Sequence, residues 1–114
     1  MTLHYRDGWT EAQRAAADAK VGSLNKAAEA GELSVTSAER SGTSAASRYR
    51  SAGNEIPSGS DVDHVRDLQL GGVDDVSNMS PLNSSVNRSL GPQIHHQIKV
   101  LPIGTCIVAV RICG

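Results

Sequence analysis

The chain has 114 residues, enough to bury one modest core but not two, so we expect a single domain over residues 1–114. Its formal net charge of −1 argues against binding a polyanion through bulk charge, so any nucleic-acid contact has to be local. No apolar stretch approaches the roughly 20 residues of a transmembrane helix and no secretory signal opens the chain, so we expect no membrane partner.

The first predicted helix covers residues 11–30. Thr10 and Gln13 have the spacing of a capping box, and the alanine-rich segment behind them carries one apolar stripe. Gly31 is the predicted stop, because glycine readily adopts the left-handed conformation that ends helices.

A second, weaker helix is predicted for residues 37–50. Thr36 and Glu39 again have capping-box spacing, but a glycine and several serines lower the helix propensity behind them. Residues 51–60 carry the turn signals that end this half of the chain. We therefore expect residues 1–55 to form a helical N-terminal part.

The next segment has the pattern of a strand followed by a tight turn. Residues 62–65 are short, β-branched and bounded by turn residues. Gly71 and Gly72 permit a positive φ and a reversal of the chain. Residues 73–77 then return either as the partner strand or as an ordered loop.

Two further helices and a strand complete the prediction. Ser80 is a plausible N-cap for a helix over residues 81–90, with Gly91 as its stop. Residues 92–99 have the pattern of one more short helix. Residues 106–112 form the most strand-like segment of the chain, and we expect this strand to pair with the central ones.

The stretch around His64 concentrates the residue types that phosphodiester hydrolysis needs. Histidine can take a proton from water near neutral pH, which makes His64 a candidate general base. Asp63 offers an anionic oxygen ligand and Asn87 a neutral one, a pair that suits hydrated Mg²⁺ better than Zn²⁺. Asn78 is better placed to hold the loop through backbone hydrogen bonds, and Asn83 is a lesser candidate for the site.

Neighbouring residues on a regular strand point to opposite faces of the sheet. Asp63 and His64 can therefore serve one site only if their strand bends, bulges or ends there. We expect such an irregularity.

These residues resemble the HNH nucleases of the His-Me finger class. His64 precedes Asn78 by 14 residues and Asn87 by 23, spacings similar to those in the HNH domain of RNA-guided CRISPR nucleases. The resemblance rests on these residues: Asp63, His64, Gly71, Gly72, Asn78, Leu82, Asn87 and Arg88. It implies an α+β fold in which a ββα-metal core and a C-terminal strand occupy residues 56–114. The helical N-terminal part, residues 1–55, would cover this core.

The resemblance also implies roles and a cofactor. His64 would be the general base, Asp63 and Asn87 the metal ligands, and Asn78 the structural asparagine of the motif. The cofactor would be a divalent metal ion, Mg²⁺ in first place and Mn²⁺, Ni²⁺ or Zn²⁺ as alternatives. The paired metal-binding histidines of colicin-type sites are missing, since Gly91 stands four residues after Asn87, and this favours the Asp/Asn version over a zinc site.

More locally, residues 61–72 and 85–94 are similar to the C-terminal toxin modules of Rhs-type and other polymorphic toxins. The resemblance implies a DNase released from a larger carrier protein, delivered by secretion, active in the target cell's cytoplasm and neutralised by a cognate immunity protein. A chain that begins at Met1 without a signal of its own is compatible with such an excised module.

Several basic side chains surround the motif. Arg66 and Arg88 lie inside it and are candidate phosphate contacts, and with Arg48 and Arg50 they are expected to form one basic face. His95 and His96 follow the predicted helix stop and are left out of the catalytic set.

Two other interpretations stay open. Neither a metal ion nor a general base distinguishes RNA from DNA by the 2′-hydroxyl, so an RNase of the same fold fits the motif equally well. A fold does not decide a function, so a non-catalytic module that binds nucleic acid or docks a protein is the alternative from another class.

Overall fold

The computed structural model describes residues 1–37 and 42–114. Its helices and strands, in chain order, are β1 (Thr2–His4), α1 (Glu11–Glu29), α2 (Ala45–Ser51), β2 (Ser60–His64), β3 (Met79–Asn83), α3 (Ser84–Ile98) and β4 (Arg111–Cys113). Over the described ranges these elements make an α+β fold with three α-helices and two small sheets. No helix within these ranges has the length and apolar character needed to cross a membrane.

Helix α1 confirms the first predicted helix. The Gln13 backbone N–H donates to Thr10 Oγ1 at 3.1 Å, and the Thr10 N–H donates to Gln13 Oε1 at 2.9 Å, which completes the capping box. Gly31 follows the helix with a φ of +74°. The stripe that faces the core is buried and consists of Ala17, Val21, Leu24 and Ala28.

The hydrophobic core lies between α1, α3 and the two terminal strands. β1 pairs with β4 in parallel, with Leu3 opposite Ile112. Leu3 is completely buried, as is Leu24 of α1, and Ile94 of α3 is 2% exposed. The two ends of the described chain are thus joined in one sheet against the helices.

The C-terminal strand differs from its prediction. Only Arg111–Cys113 form a strand, and the partner is β1, so the expected pairing with the central strands is wrong. The front of the predicted segment instead bonds to the chain after α1, where the Ile107 N–H donates to Leu33 O and Cys106 forms an isolated bridge with Ser34. The backbone groups of residues 106–112 are therefore divided between two partners.

Strands β2 and β3 form a regular antiparallel hairpin, with Ser60 opposite Asn83 and His64 opposite Met79. The connection contains two short 3₁₀ turns, Leu68–Leu70 and Val76–Asn78, and Gly71 has a φ of +95° after the first. Residues 73–77 therefore form an ordered loop, and the partner strand is the segment behind it. α3 starts as soon as β3 ends, which places strand, strand and helix in succession.

The predicted boundaries of α3 are wrong. Pro81 belongs to β3, and the N-cap is Asn83, whose Oδ1 accepts from the Ser85 and Val86 N–H groups at 3.1 and 3.2 Å. Gly91 does not stop the helix, and the separate helix predicted for residues 92–99 is its continuation. One buried stripe runs through both halves: Val86, Leu90, Ile94 and Ile98. Packing of these four side chains outweighs the local costs of roughly 1 kcal/mol for glycine and 3 kcal/mol for proline.

Helix α2 is shorter than predicted. It begins behind Ser44, whose Oγ accepts from the Ser47 N–H at 3.2 Å, and it ends at Ser51. Glu39, the acidic partner of the expected capping box, lies outside the described residues.

Gly72 and Gly22 form a matched pair for testing the hairpin loop. A Cβ on Gly72 would lie 1.8 Å from Arg66 O, so Gly72→Ala must displace the backbone and should cost more than about 2 kcal/mol of unfolding free energy. A Cβ on Gly22, inside α1, meets nothing within 4 Å, so Gly22→Ala should stabilise the protein by roughly 0.5–1 kcal/mol. Urea unfolding measures both, and equal midpoints for the two variants would contradict the close approach.

Candidate active site

A cleft of about 450 Å³ lies where β2 ends against the hairpin loop and α3. Val62, Leu68 and Pro92 contribute its apolar walls. Its polar lining consists of Asp63, His64, Asp67, Gln69, Asn87 and His95. We call it the His64 cleft.

His64 is the last residue of β2, so the expected irregularity is the end of the strand, and both Asp63 and His64 line the cleft. The imidazole is only 9% exposed, and its Nε2 lies 2.9 Å from Asp74 Oδ1. Arg48 donates to the same oxygen at 2.8 Å and to the Asp74 carbonyl at 2.7 Å. No group in the described ranges forms a hydrogen bond with His64 Nδ1.

Asp63 is bound by a buried lysine. Lys20 Nζ donates to Asp63 Oδ2 at 2.7 Å, to the His64 carbonyl at 2.6 Å and to the Val65 carbonyl at 3.0 Å. The side chains of Lys20 and Asp63 are only 5% and 12% exposed. Burial raises the pKa of the Asp63 carboxyl, and the Lys20 ammonium opposes that rise.

Lys20 was not assigned to the site from the sequence, although its position within the apolar stripe of α1 indicates a special role. Lys20 lies three residues after Ala17 and four before Leu24, which places a charge on the apolar face of α1. A lysine there has to find acceptors inside the protein, because an unpaired buried ammonium is costly.

A third carboxylate, that of Asp67, also lies close to Lys20. Its Oδ2 lies 3.4 Å from Lys20 Nζ and is buried without a hydrogen bond from the described residues. Its backbone carbonyl accepts from the Leu70 and Gly72 N–H groups and so closes the first 3₁₀ turn. The carboxylate found against the His64 imidazole is that of Asp74.

Asn87 enters the cleft from α3 with its amide nitrogen anchored. Nδ2 donates to Asp61 Oδ2 at 2.9 Å, and Ser84 and Arg88 bond to the same carboxylate. The hydrogen bond from Asn87, followed by those from Arg88 and Ser84, lowers the pKa of Asp61. Asp61 therefore stays anionic and fixes the orientation of the Asn87 carboxamide.

Asn78 bonds to the backbone on both sides of the hairpin loop. Its Oδ1 accepts from the Arg66 N–H at 3.0 Å, and its Nδ2 donates to the carbonyls of Arg66 and Val73 at 2.9 Å each. These are the loop-holding contacts expected from the sequence. Asn83 is the cap of α3 and does not line the cleft.

Three arginines expected on a basic face are each paired with a carboxylate. Arg66 bonds to Glu32 at 2.9 Å, Arg48 bonds to Asp74, and Arg88 contacts both oxygens of Asp61 while its side chain stays 72% exposed. Arg50 is exposed. The roles of Arg66 and Arg88 as phosphate contacts stay predictions.

His95 is a cleft residue that the sequence analysis left out. Its Nδ1 lies 3.0 Å from Gln69 Oε1, and both residues line the His64 cleft. His96 is exposed and does not line the cleft. Because α3 continues through Gly91, His95 lies on the same helix as Asn87 and lines the same cleft.

Two side chains of the cleft, Asp63 and Asn87, could hold part of the coordination shell of a divalent cation. Residues 1–37 and 42–114 contain no group of three His, Cys, Asp or Glu side chains arranged around a common metal position. Asp63 and Asn87 nevertheless each keep one side-chain oxygen, Oδ1, that accepts no hydrogen bond from the described residues. Two oxygen ligands completed by water suit Mg²⁺, which keeps several of its waters in proteins.

Comparisons with protein-family models, with curated proteins and with solved structures returned no match.

Replacing Lys20 tests the buried ion pair. Lys20→Met removes the cation but leaves Asp63 buried, which should lower the unfolding free energy by about 3–5 kcal/mol. The double variant Lys20→Met/Asp63→Asn should recover part of this loss, since no charge is left unpaired. Lys26→Met, at an exposed position of the same helix, is the control in urea unfolding. Equal losses at positions 20 and 26 would rule out this role for Lys20.

Proposed function

We propose that the protein is a metal-dependent endonuclease of the HNH, ββα-metal type that hydrolyses DNA phosphodiester bonds. The observation that supports this proposal is the placement of Asp63, His64 and Asn87 around one cleft, at the junction of a two-stranded hairpin and the helix behind it. The same three residues are among those that carry the resemblance in the sequence.

In the proposed reaction His64 is the general base. Its Nε2 is engaged with Asp74, so Nδ1 is the nitrogen left to take a proton from a water molecule. The water then attacks the phosphorus in line with the departing 3′ oxygen. Partial burial of the imidazole keeps bulk water from competing for its hydrogen bonds.

Asp63 and Asn87 are the proposed metal ligands through their Oδ1 atoms. A divalent cation bound there would stabilise negative charge on the phosphoryl and leaving oxygens. Lys20 holds the other Asp63 oxygen, and Asp61 holds the Asn87 nitrogen, so both ligands have fixed orientations. Such contacts behind the ligands are a general feature of protein metal sites.

Arg66 and Arg88 are the proposed contacts to the DNA backbone. Each now bonds to a carboxylate, Glu32 or Asp61, on a partly exposed surface. The Arg66–Glu32 pair is exposed, and such pairs are worth about 0–1 kcal/mol, so a phosphate can replace Glu32 at little cost. Arg88 contacts both oxygens of Asp61, but its side chain is 72% exposed and so stays accessible to a phosphate.

We further propose the biological setting that the sequence resemblance suggests. The domain would be the C-terminal toxin module of a larger carrier protein in interbacterial competition. It would be delivered by a secretion system and act in the cytoplasm of the target cell. In the producing cell a cognate immunity protein would hold it inactive. A small acidic protein that co-purifies with the domain and blocks cleavage would support this setting.

His64→Ala is the direct test of the reaction. With Mg²⁺ and plasmid DNA, loss of the general base should lower the cleavage rate on the order of 10²–10⁴-fold. His96→Ala, at an exposed position outside the cleft, should cut like the parent. Equal rates for parent and His64→Ala would refute the assignment.

The same assay separates the alternatives. Cleavage of RNA in place of plasmid DNA would indicate an RNase of the same fold. Tight DNA binding without cleavage in Mg²⁺, Mn²⁺ or Ni²⁺ would indicate a binding module.

The metal ligands are tested by titration. Asn87→Ala removes one proposed oxygen ligand, so the Mg²⁺ concentration for half-maximal cleavage should rise by at least about tenfold. Asn54→Ala, in an exposed loop outside the cleft, is the control. An unchanged Mg²⁺ requirement in Asn87→Ala would exclude Asn87 as a ligand.

A further inference from the structure

The contact between His64 and Asp74 joins two residues ten positions apart, and neither the sequence motif nor the resemblance assigns a role to Asp74. Its carboxylate oxygen lies 2.9 Å from His64 Nε2, and the two side chains are 10% and 17% exposed. Arg48, which stays charged at all ordinary pH values, lies 2.8 Å from the same oxygen.

We propose that Asp74 is a positioning residue that fixes the tautomer and ring orientation of His64. An ionised carboxylate can only accept hydrogen bonds, so the proton between the two residues belongs to Nε2 of the imidazole. In a neutral imidazole this leaves the lone pair on Nδ1. The catalytic consequence rests on the proposed function, whereas the tautomer itself does not.

Asp74 is itself held in place from both sides. The Asn78 side chain bonds to the carbonyl of the preceding residue, Val73, and the following residue, Asp75, caps the second 3₁₀ turn. Arg48 reaches across from α2 to both the side chain and the backbone of Asp74. A carboxylate anchored in this way can restrain the rotation of the imidazole.

The other carboxylates at the cleft serve a different partner. Asp63 and Asp67 both lie against Lys20, whose ammonium bonds to the backbone carbonyl of His64 and not to its ring. The imidazole of His95 is bonded to Gln69. Among the contacts of the described residues, Asp74 is the one carboxylate placed to choose between the two nitrogens of His64.

The tautomer of His64 can be determined by NMR spectroscopy, and the measurement does not require the protein to cleave nucleic acid. In long-range ¹⁵N–¹H correlation spectra of the full chain, recorded where His64 is neutral, we expect Nε2 to be protonated and Nδ1 to be unprotonated. In Asp74→Leu no acceptor faces Nε2, so both tautomers of His64 should be populated. Asp74→Glu keeps an acceptor and should retain the parent tautomer.

Asp75→Asn is the matched control, because it removes the same charge one residue away and asparagine caps a turn as well as aspartate does. Its His64 spectrum should be that of the parent. In cleavage assays, Asp74→Leu should lower kcat on the order of 10²–10⁴-fold with little change in KM, because substrate binding does not use the His64 proton. Asp74→Glu should restore part of this loss.

The outcomes separate this inference from the proposed function. A parent protein with the proton on Nδ1 of His64, or an Asp74→Leu variant that keeps it wholly on Nε2, would overturn the role of Asp74. If Asp74→Leu does not fold, Asp74→Ala replaces it with the same expectation. The expected tautomers in a protein that cleaves no nucleic acid would support the positioning role and reject the nuclease proposal.

Discussion

The site depends on one buried charge, the ammonium of Lys20. It projects from the middle of α1 and bonds to the Asp63 carboxylate and to the carbonyls of His64 and Val65. Removing an ammonium from water is costly unless it finds acceptors, and the end of β2 supplies them. The helical N-terminal part is therefore tied to β2 at the residues on which the proposed chemistry relies.

The Lys20 ammonium and the backbone carbonyl of Asn78 together hold the end of β2, where Asp63 and His64 line one cleft. The carbonyls of His64 and Val65 turn toward Lys20, and the Val65 N–H bonds to the carbonyl of Asn78. The strand pairing stops at that point. His64 is thereby the last paired residue of β2, and Asp63, which is paired with Ser80, contacts Lys20 whereas His64 contacts Asp74.

The sequence predicted those parts of the protein whose causes are local. Helix α1 follows from its cap and stripe, and the loop-holding contacts of Asn78 follow from its place between strand and helix. The course of α3 was mispredicted, because the stop signals at residues 91–92 are local whereas the packing that overrides them is not. Asp74 shows no periodicity or spacing that sets it apart, since its position depends on how the whole loop folds against α2.

The continuity of α3 places two side chains that line the His64 cleft on one helix. Asn87 and His95 both line it and are eight residues apart on one helix, which places them about 12 Å apart along the helix axis. Their separation is set by backbone and does not depend on side-chain motion. A ligand that contacts both side chains must therefore span about 12 Å, whereas a shorter ligand is held at one end of the cleft.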